Sequence, residues 1–228
     1  MSTKQDRAIR TRDALIEAAA RVFEASDYTE SRLDVISRAA GVSRGALSFH
    51  FAGKAEVAEA VEELAVAALT AAVETACRKP DSALQALVDS THALARLVRD
   101  DHVVRGGLRL NCDAAHRSCA SLRLSWERRV RALMTRAAAA GELSAHAARH
   151  PTADVIVAAT AGYQVLGVRE EAWLSSAALT GFWDCLLPRL AHPDLVARLY
   201  PGGTPPGREE GGPDGAGAGP RISPASCA

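Results

Sequence analysis

The chain has 228 residues, a mass of 24.0 kDa, and 27 basic against 27 acidic side chains, so its net charge is zero. That length suits one domain with room for a small accessory one, and it can bury a core without disulfide or metal staples. Alanine supplies 47 residues and aromatic residues only 4%, which favours closely packed helices and excludes a collagen, a disulfide scaffold or a wholly disordered chain.

In chain order, residues 7–25 read as an amphipathic helix, with Ile9, Leu15, Ile16, Ala19, Val22 and Phe23 at helical spacing. Two short helices follow at 33–40 and 43–49, separated by Gly41 and Val42. A long helix then runs from Lys54 to about Cys77, carrying Glu56, Glu59, Glu62, Glu63 and Glu74 on what reads as a mostly solvated face, until Pro80 and Asp81 break it. Further helices are expected at 82–99, 102–111 and 120–140. The last has an apolar stripe of Leu122, Trp126, Val130, Leu133 and Ala137, and Gly141 caps its end. Two mainly apolar helices come next, at about 152–167 and 171–190. From Pro201 onward, 14 of 28 residues are Gly or Pro, which reads as a disordered tail.

The segment 33–51 carries the chemistry. Two short helices joined by a tight turn need a glycine at the turn, a small residue at the crossing and apolar contacts from both. Gly41, Ser37 and the set Leu33, Ile36, Ala40, Val42, Leu47 and Phe51 supply these. Ser43 is a suitable N-cap for the second helix. Arg44, Gly45 and Ala46 then form a first turn slim enough to enter a major groove, with Arg44 able to reach guanine N7 and O6. Lys54 starts the next helix, where it can meet a phosphate together with that helix's amides. Residues 31–54 carry +3 (Arg32, Arg38, Arg44 and Lys54 against Asp34), as do residues 1–12 (Lys4, Arg7, Arg10 and Arg12 against Asp6). Since the whole chain has no field, such local patches must do the recognising. A structural helical hairpin with a solvated basic face is the other reading of the spacing.

The run RTRDALIEAAARVFEASDY, followed by LDVISRAAGVSRGALSFHFAGKAEV, resembles the N-terminal domain of TetR-family transcriptional regulators, most specifically in AGVSRGAL-x-FHF-xx-K. RGGLRL (Arg105 to Leu110), the Trp126 helix and TAGYQVLG resemble the γ-butyrolactone-receptor branch of that family, across residues 7–190 and more loosely after residue 60. The resemblance implies an all-α homodimer. Its N-terminal three-helix helix-turn-helix domain (1–54) would precede a helical ligand-binding and dimerisation domain (55–200) and the tail (201–228). It implies that Arg32, Ser43, Arg44, Gly45, Ala46, Ser48, His50 and Lys54 meet a roughly palindromic DNA operator. It also implies that Trp126 and Thr160 line the pocket of a small-molecule effector. Four positions depart from the family. Ser48 replaces a phosphate-contacting tyrosine, Arg32 a frequent threonine, and Asp27 a glycine. Ala65 stands where butyrolactone receptors tend to have a glutamine that hydrogen-bonds the ligand.

Other constellations read as ordinary. Trp126 by spacing alone suits a core position, and Trp173 and Trp183 suit core or dimer packing. His146 and His150 read as a surface pair at a helix end, lacking an acidic or cysteine partner for a metal. Arg117, Arg123, Arg128, Arg129, Arg131 and Arg136, against Glu127, read as an exposed basic face beside the pocket, with a second nucleic-acid site as the other reading. No phosphate loop, GxSxG elbow or HExxH is present, so neither a cofactor nor catalysis is expected. Cys77, Cys112, Cys119, Cys185 and Cys227 are odd in number with no CxxC pair, and the polar N-terminus shows no secretory signal. The expectation is reduced thiols in the cytoplasm. Residues 155–168, the longest uncharged stretch, are too short to span a bilayer, so no membrane partner is expected. The expected function is a ligand-released repressor. A pseudo-receptor sensing an antibiotic or pathway intermediate, and a ligand-sequestering protein with a degraded head, are the alternatives.

Overall fold

The computed structural model describes residues 3–78, 82–117, 121–167 and 170–205. Pro80, Asp81, Cys119, Cys227, the 206–228 part of the tail and the Lys4 side chain, all invoked above, lie outside the described residues. Those residues form ten α-helices, two turns of 3-10 helix and no strand.

The head begins with α1 (Thr3–Ala25), which buries Leu15, Ile16, Ala19, Ala20 and Phe23. Two short helices pack across it: α2 (Leu33–Ala39) and α3 (Arg44–His50). Gly41 turns the chain between them at φ 68, a left-handed conformation that costs glycine little. Ile36, Leu47 and Phe51 are buried at the junction, with Leu33, Ala40 and Val42 partly buried against them. The apolar spacing in 33–51 is therefore the spacing of one shared core.

α4 (Lys54–Ala76) carries the chain out of the head into the body. There α5 (Ala83–Asp100) is the central helix, buried on almost every side from Ala83 to Ala95. Its N-terminal amides have no intrahelical partners, and the protein satisfies them from a distance. Ser82 accepts from Gln85 N at 3.2 Å, while the Glu142 carboxylate accepts from Ala83 N at 2.9 Å and Leu84 N at 2.8 Å. Glu142 is delivered by Gly141, which ends α7 (Leu122–Ala139) at φ 69. All five residues of the expected α7 stripe are buried.

α6 (His102–Cys112) is wedged between head and body. A Cβ on Gly106 would stand 2.6 Å from the Ala20 carbonyl oxygen of α1, and one on Gly107 would stand 2.8 Å from Ala65 Cβ of α4. Glycine is thus what lets α6 touch both neighbours.

α8 (Thr152–Gly167) is apolar yet buries only Ile156 and Thr160. The expected helix at 171–190 is two pieces: a 3-10 turn (Glu171–Leu174), then α9 (Ser176–Leu190). Ser175 restarts the helix by accepting from Ala178 N. A short α10 (Pro193–Val196) was not anticipated. The reading of everything from Pro201 as disordered is also corrected, because residues 200–204 lie along α5. Gln85 exchanges hydrogen bonds with the Tyr200 backbone at 2.8 and 3.2 Å, His92 Nε2 sits 2.9 Å from Pro201 O, and Asp89 accepts from Thr204 N at 2.7 Å. No described helix is long and apolar enough to cross a membrane.

Candidate nucleic-acid interface and effector cleft

Ser43 precedes α3 with extended backbone, and its Oγ accepts from Ala46 N at 3.1 Å, so the second helix of the turn motif starts where its N-cap predicts. Arg44, Gly45 and Ser48 are exposed, and Ala46 and His50 are half-buried. Gly45 has a normal helical backbone, and a Cβ there would meet only Ser43 Oγ at 3.9 Å. Nothing within the fold therefore requires glycine at this position, and glycine in a helix costs about 0.5–1 kcal/mol relative to alanine.

The surrounding charge is arranged around Asp34. Arg32 pairs with it at 3.0 Å and Arg38 at 3.3 Å, but both guanidinium chains are roughly three-quarters exposed, at 73% and 75%. Such pairs contribute little and exchange readily for another anion. Arg12 of α1 lies over the Phe51 ring at 5.2 Å, adding a further exposed cation beside α3.

Lys54 is placed differently from its expectation. Its ammonium donates to the carbonyls of Tyr28 (2.6 Å), Thr29 (3.3 Å) and Ser31 (3.1 Å) and lies 4.3 Å from the Tyr28 ring centre. An ammonium has three donors, and all three are engaged. Lys54 ties the α1–α2 loop to the start of α4.

That loop is also held by the body. Along α6 and its cap, Arg105, Arg109 and Asp113 recur every four residues. Arg105 donates to Glu24 at 2.6 Å, Arg109 to Asp27 at 2.6 Å, and Asp113 accepts from Tyr28 N at 2.7 Å. Hydrogen bonds from the Tyr28 and Ala115 amides hold the Asp113 carboxyl below the usual carboxylate range. Asp27, one of the departures from the family, is thus a partner of Arg109.

Glu62 corrects the solvated reading of the α4 acids, because it is fully buried. Asn111 Nδ2 donates to it at 2.6 Å, and His116 Nε2 lies 3.1 Å from its other oxygen. The His116 ring lies against Tyr28, tilted by 39° with centres 4.8 Å apart, so this cluster completes the joint between head and body. Its signal was present in the sequence: Ala58, Val61, Ala65 and Leu69 are the buried stripe of α4, and Glu62 falls on it.

In the body, Trp126 is 3% exposed, and its indole N–H donates to Thr160 Oγ1 at 2.8 Å. Thr160 in turn donates to the Ile156 carbonyl at 2.7 Å. A cleft of about 240 Å³ opens on the other side of Trp126, lined by Leu69, Thr70, Val73, Arg128, Arg129 and neighbours on α7. Thr160 backs the tryptophan and does not line this cleft. The basic face of α7 is partly offset: Glu127 pairs with Arg123 and Arg131, and Asp154 pairs with Arg131. Trp183 is fully buried and donates to Thr91, whereas Trp173 is 40% exposed. His146 and His150 are exposed with rings 4.2 Å apart, and no group of three metal-ligating residues occurs among the described residues.

Residues 15–61 match the family model for bacterial regulatory proteins of the tetR family. The A-factor receptor protein of Streptomyces griseus is 31% identical over 88% of this chain and 71% of its own length. A crystal structure of a gamma-butyrolactone receptor, described as an ArpA-like protein, superposes with a TM-score of 0.71 at 27% identity, covering 84% of this chain and 94% of that one. CprB from Streptomyces coelicolor, solved in complex with its biological operator sequence, gives 0.69 at 26% identity over 84% and 94%.

Proposed function

Because the chain belongs to the TetR family of bacterial regulatory proteins, on the branch resembling γ-butyrolactone receptors, we propose that it is a homodimeric repressor released from its operator by a small apolar molecule. The observation that carries the DNA reading is Gly45: a glycine the fold does not need, beside exposed Arg44, on the first turn of a capped helix. Arg44 reads a guanine edge, while Gly45 and Ala46 let the backbone approach. Ser43, Ser48 and His50 contact the backbone of the groove, and Arg32 exchanges Asp34 for a phosphate. Lys54 contributes by positioning, since its donors hold the α1–α2 loop.

Two copies present their α3 helices to successive major grooves about 34–36 Å apart. The dimer face is the unpartnered side of α8 and α9. The effector enters the cleft against Trp126 and must bind the DNA-incompetent arrangement more tightly than the competent one. Ala65, buried beneath Gly107, leaves no room there for a ligand-bonding side chain. Within the same reading this favours an antibiotic or pathway intermediate over a lactone.

Fluorescence anisotropy on DNA from upstream of the protein's own gene tests this. We expect tight binding that weakens steeply with salt and is released by an organic extract of the source culture. Arg44→Ala should cost about 1–3 kcal/mol and relax base selectivity. Binding no stronger than to random duplex, across a screened operator library, would instead support a ligand-sequestering protein.

A further inference from the structure

We propose that Phe49 is a specificity residue that reads the 5-methyl group of a thymine in each operator half-site; this rests on the DNA reading above. Phe49 is 82% exposed, the most exposed of the large apolar side chains in the described residues. The head has a core for such a ring, and Phe23 and Phe51 are buried in it. Phe49 is held out of it by register. On a helix turning about 100° per residue, Leu47 points into the core, and the residues two before and two after it emerge on the opposite side. Those residues are Gly45 and Phe49.

Gly45 is the side-chain-free point at which α3 can approach another molecule most closely. Phe49 follows it by one turn on the same face, so whatever comes within reach of Gly45 also meets the ring. Its one ring contact among the described residues is with the adjacent His50, near-perpendicular at 5.2 Å, and the side chain stays 82% exposed. Arg44 is exposed on α3 itself, as are Arg32 just before the neighbouring α2 and Arg38 on it. An apolar disc within a basic surface matches the edge of a major groove, where the apolar group on offer is the thymine methyl. Ser48, beside it, is too short to cover the ring.

The test uses the full chain. Duplexes are selected from a random pool, and each thymine of the enriched site is replaced singly by deoxyuridine, which removes only the methyl. Wild type should lose about fourfold in affinity at one thymine per half-site, the share of one buried methyl, and about fifteenfold when both are replaced. Phe49→Ala should bind the thymine site more weakly and be indifferent to deoxyuridine there, while Phe49→Leu keeps part of the sensitivity. Unchanged helical circular dichroism and melting would show that both variants are folded. If wild type tolerates deoxyuridine everywhere, or Phe49→Ala keeps the same sensitivity, the Phe49 assignment is overturned and the operator reading stands. Should no sequence enrich, both fall together.

Discussion

Trp126 and Thr160 sit 34 residues apart, and the hydrogen bond between them is buried. Removing its acceptor while keeping its shape isolates its worth. Thr160→Val leaves the indole N–H without a partner, which should cost about 1–3 kcal/mol and lower the melting temperature by several degrees. In a double-mutant cycle, Trp126→Phe should cost less in the Thr160→Val background than in wild type; additive costs would mean that the bond contributes nothing. The resemblance placed both residues in the lining of one pocket, whereas Thr160 accepts from the indole and does not line the cleft. What the sequence could not show was which atoms an inward-facing polar group would meet. Lys54 is the same case: a cation at a helix start beside other cations suggests phosphate, yet three carbonyls of one loop take its donors. Glu62 differs, since helical periodicity alone assigns it to the buried stripe of α4.

At the scale of elements, nearly every helix was legible, because apolar spacing, N-cap serines and turn glycines all act locally. Ser43, Ser82, Ser121 and Ser175 each cap the helix that follows. The strap at 200–204 departs from its reading because distant α5 side chains fix it; α6 forms where expected, and distant partners decide only its seat against the head. RGGLRL acquires a physical meaning here. Its two arginines grip Glu24 and Asp27, and its two glycines permit the approach. Asp113 extends that grip. A carboxyl whose folded-state pKa is depressed stabilises the joint above its ordinary value near 3.9, and that contribution is lost as pH falls through the lowered value. Asp113→Asn should therefore be less stable than wild type at pH 7, with the gap closing in acid. Chemical denaturation at pH 7 and pH 2.5 checks this; an equal gap at both would rule out the carboxylate as its source.

At the scale of the whole molecule, the described residues leave an apolar face of α8 uncovered. Val155, Ala158, Gly162 and Val165 run along one side of α8 at steps of three and four, with Val155 55% and Val165 62% exposed. A Cβ on Gly162 would meet nothing within 4 Å. A second copy seated there would bury this face. Val165→Glu should then shift sedimentation from dimer to monomer and weaken operator binding, with the head still folded; a variant that stays dimeric would move the interface elsewhere. The glycine pair of α6 has a consequence for motion as well as for packing. A joint built from side chains has slack, because rotamers absorb a small displacement before the next element feels it. At Gly106 and Gly107 there are no rotamers to spend: main chain bears on α1, and α4 bears on main chain. A displacement of α6 therefore meets α1 and α4 directly at these two contacts, with the side-chain grips of Arg105 and Arg109 beside them.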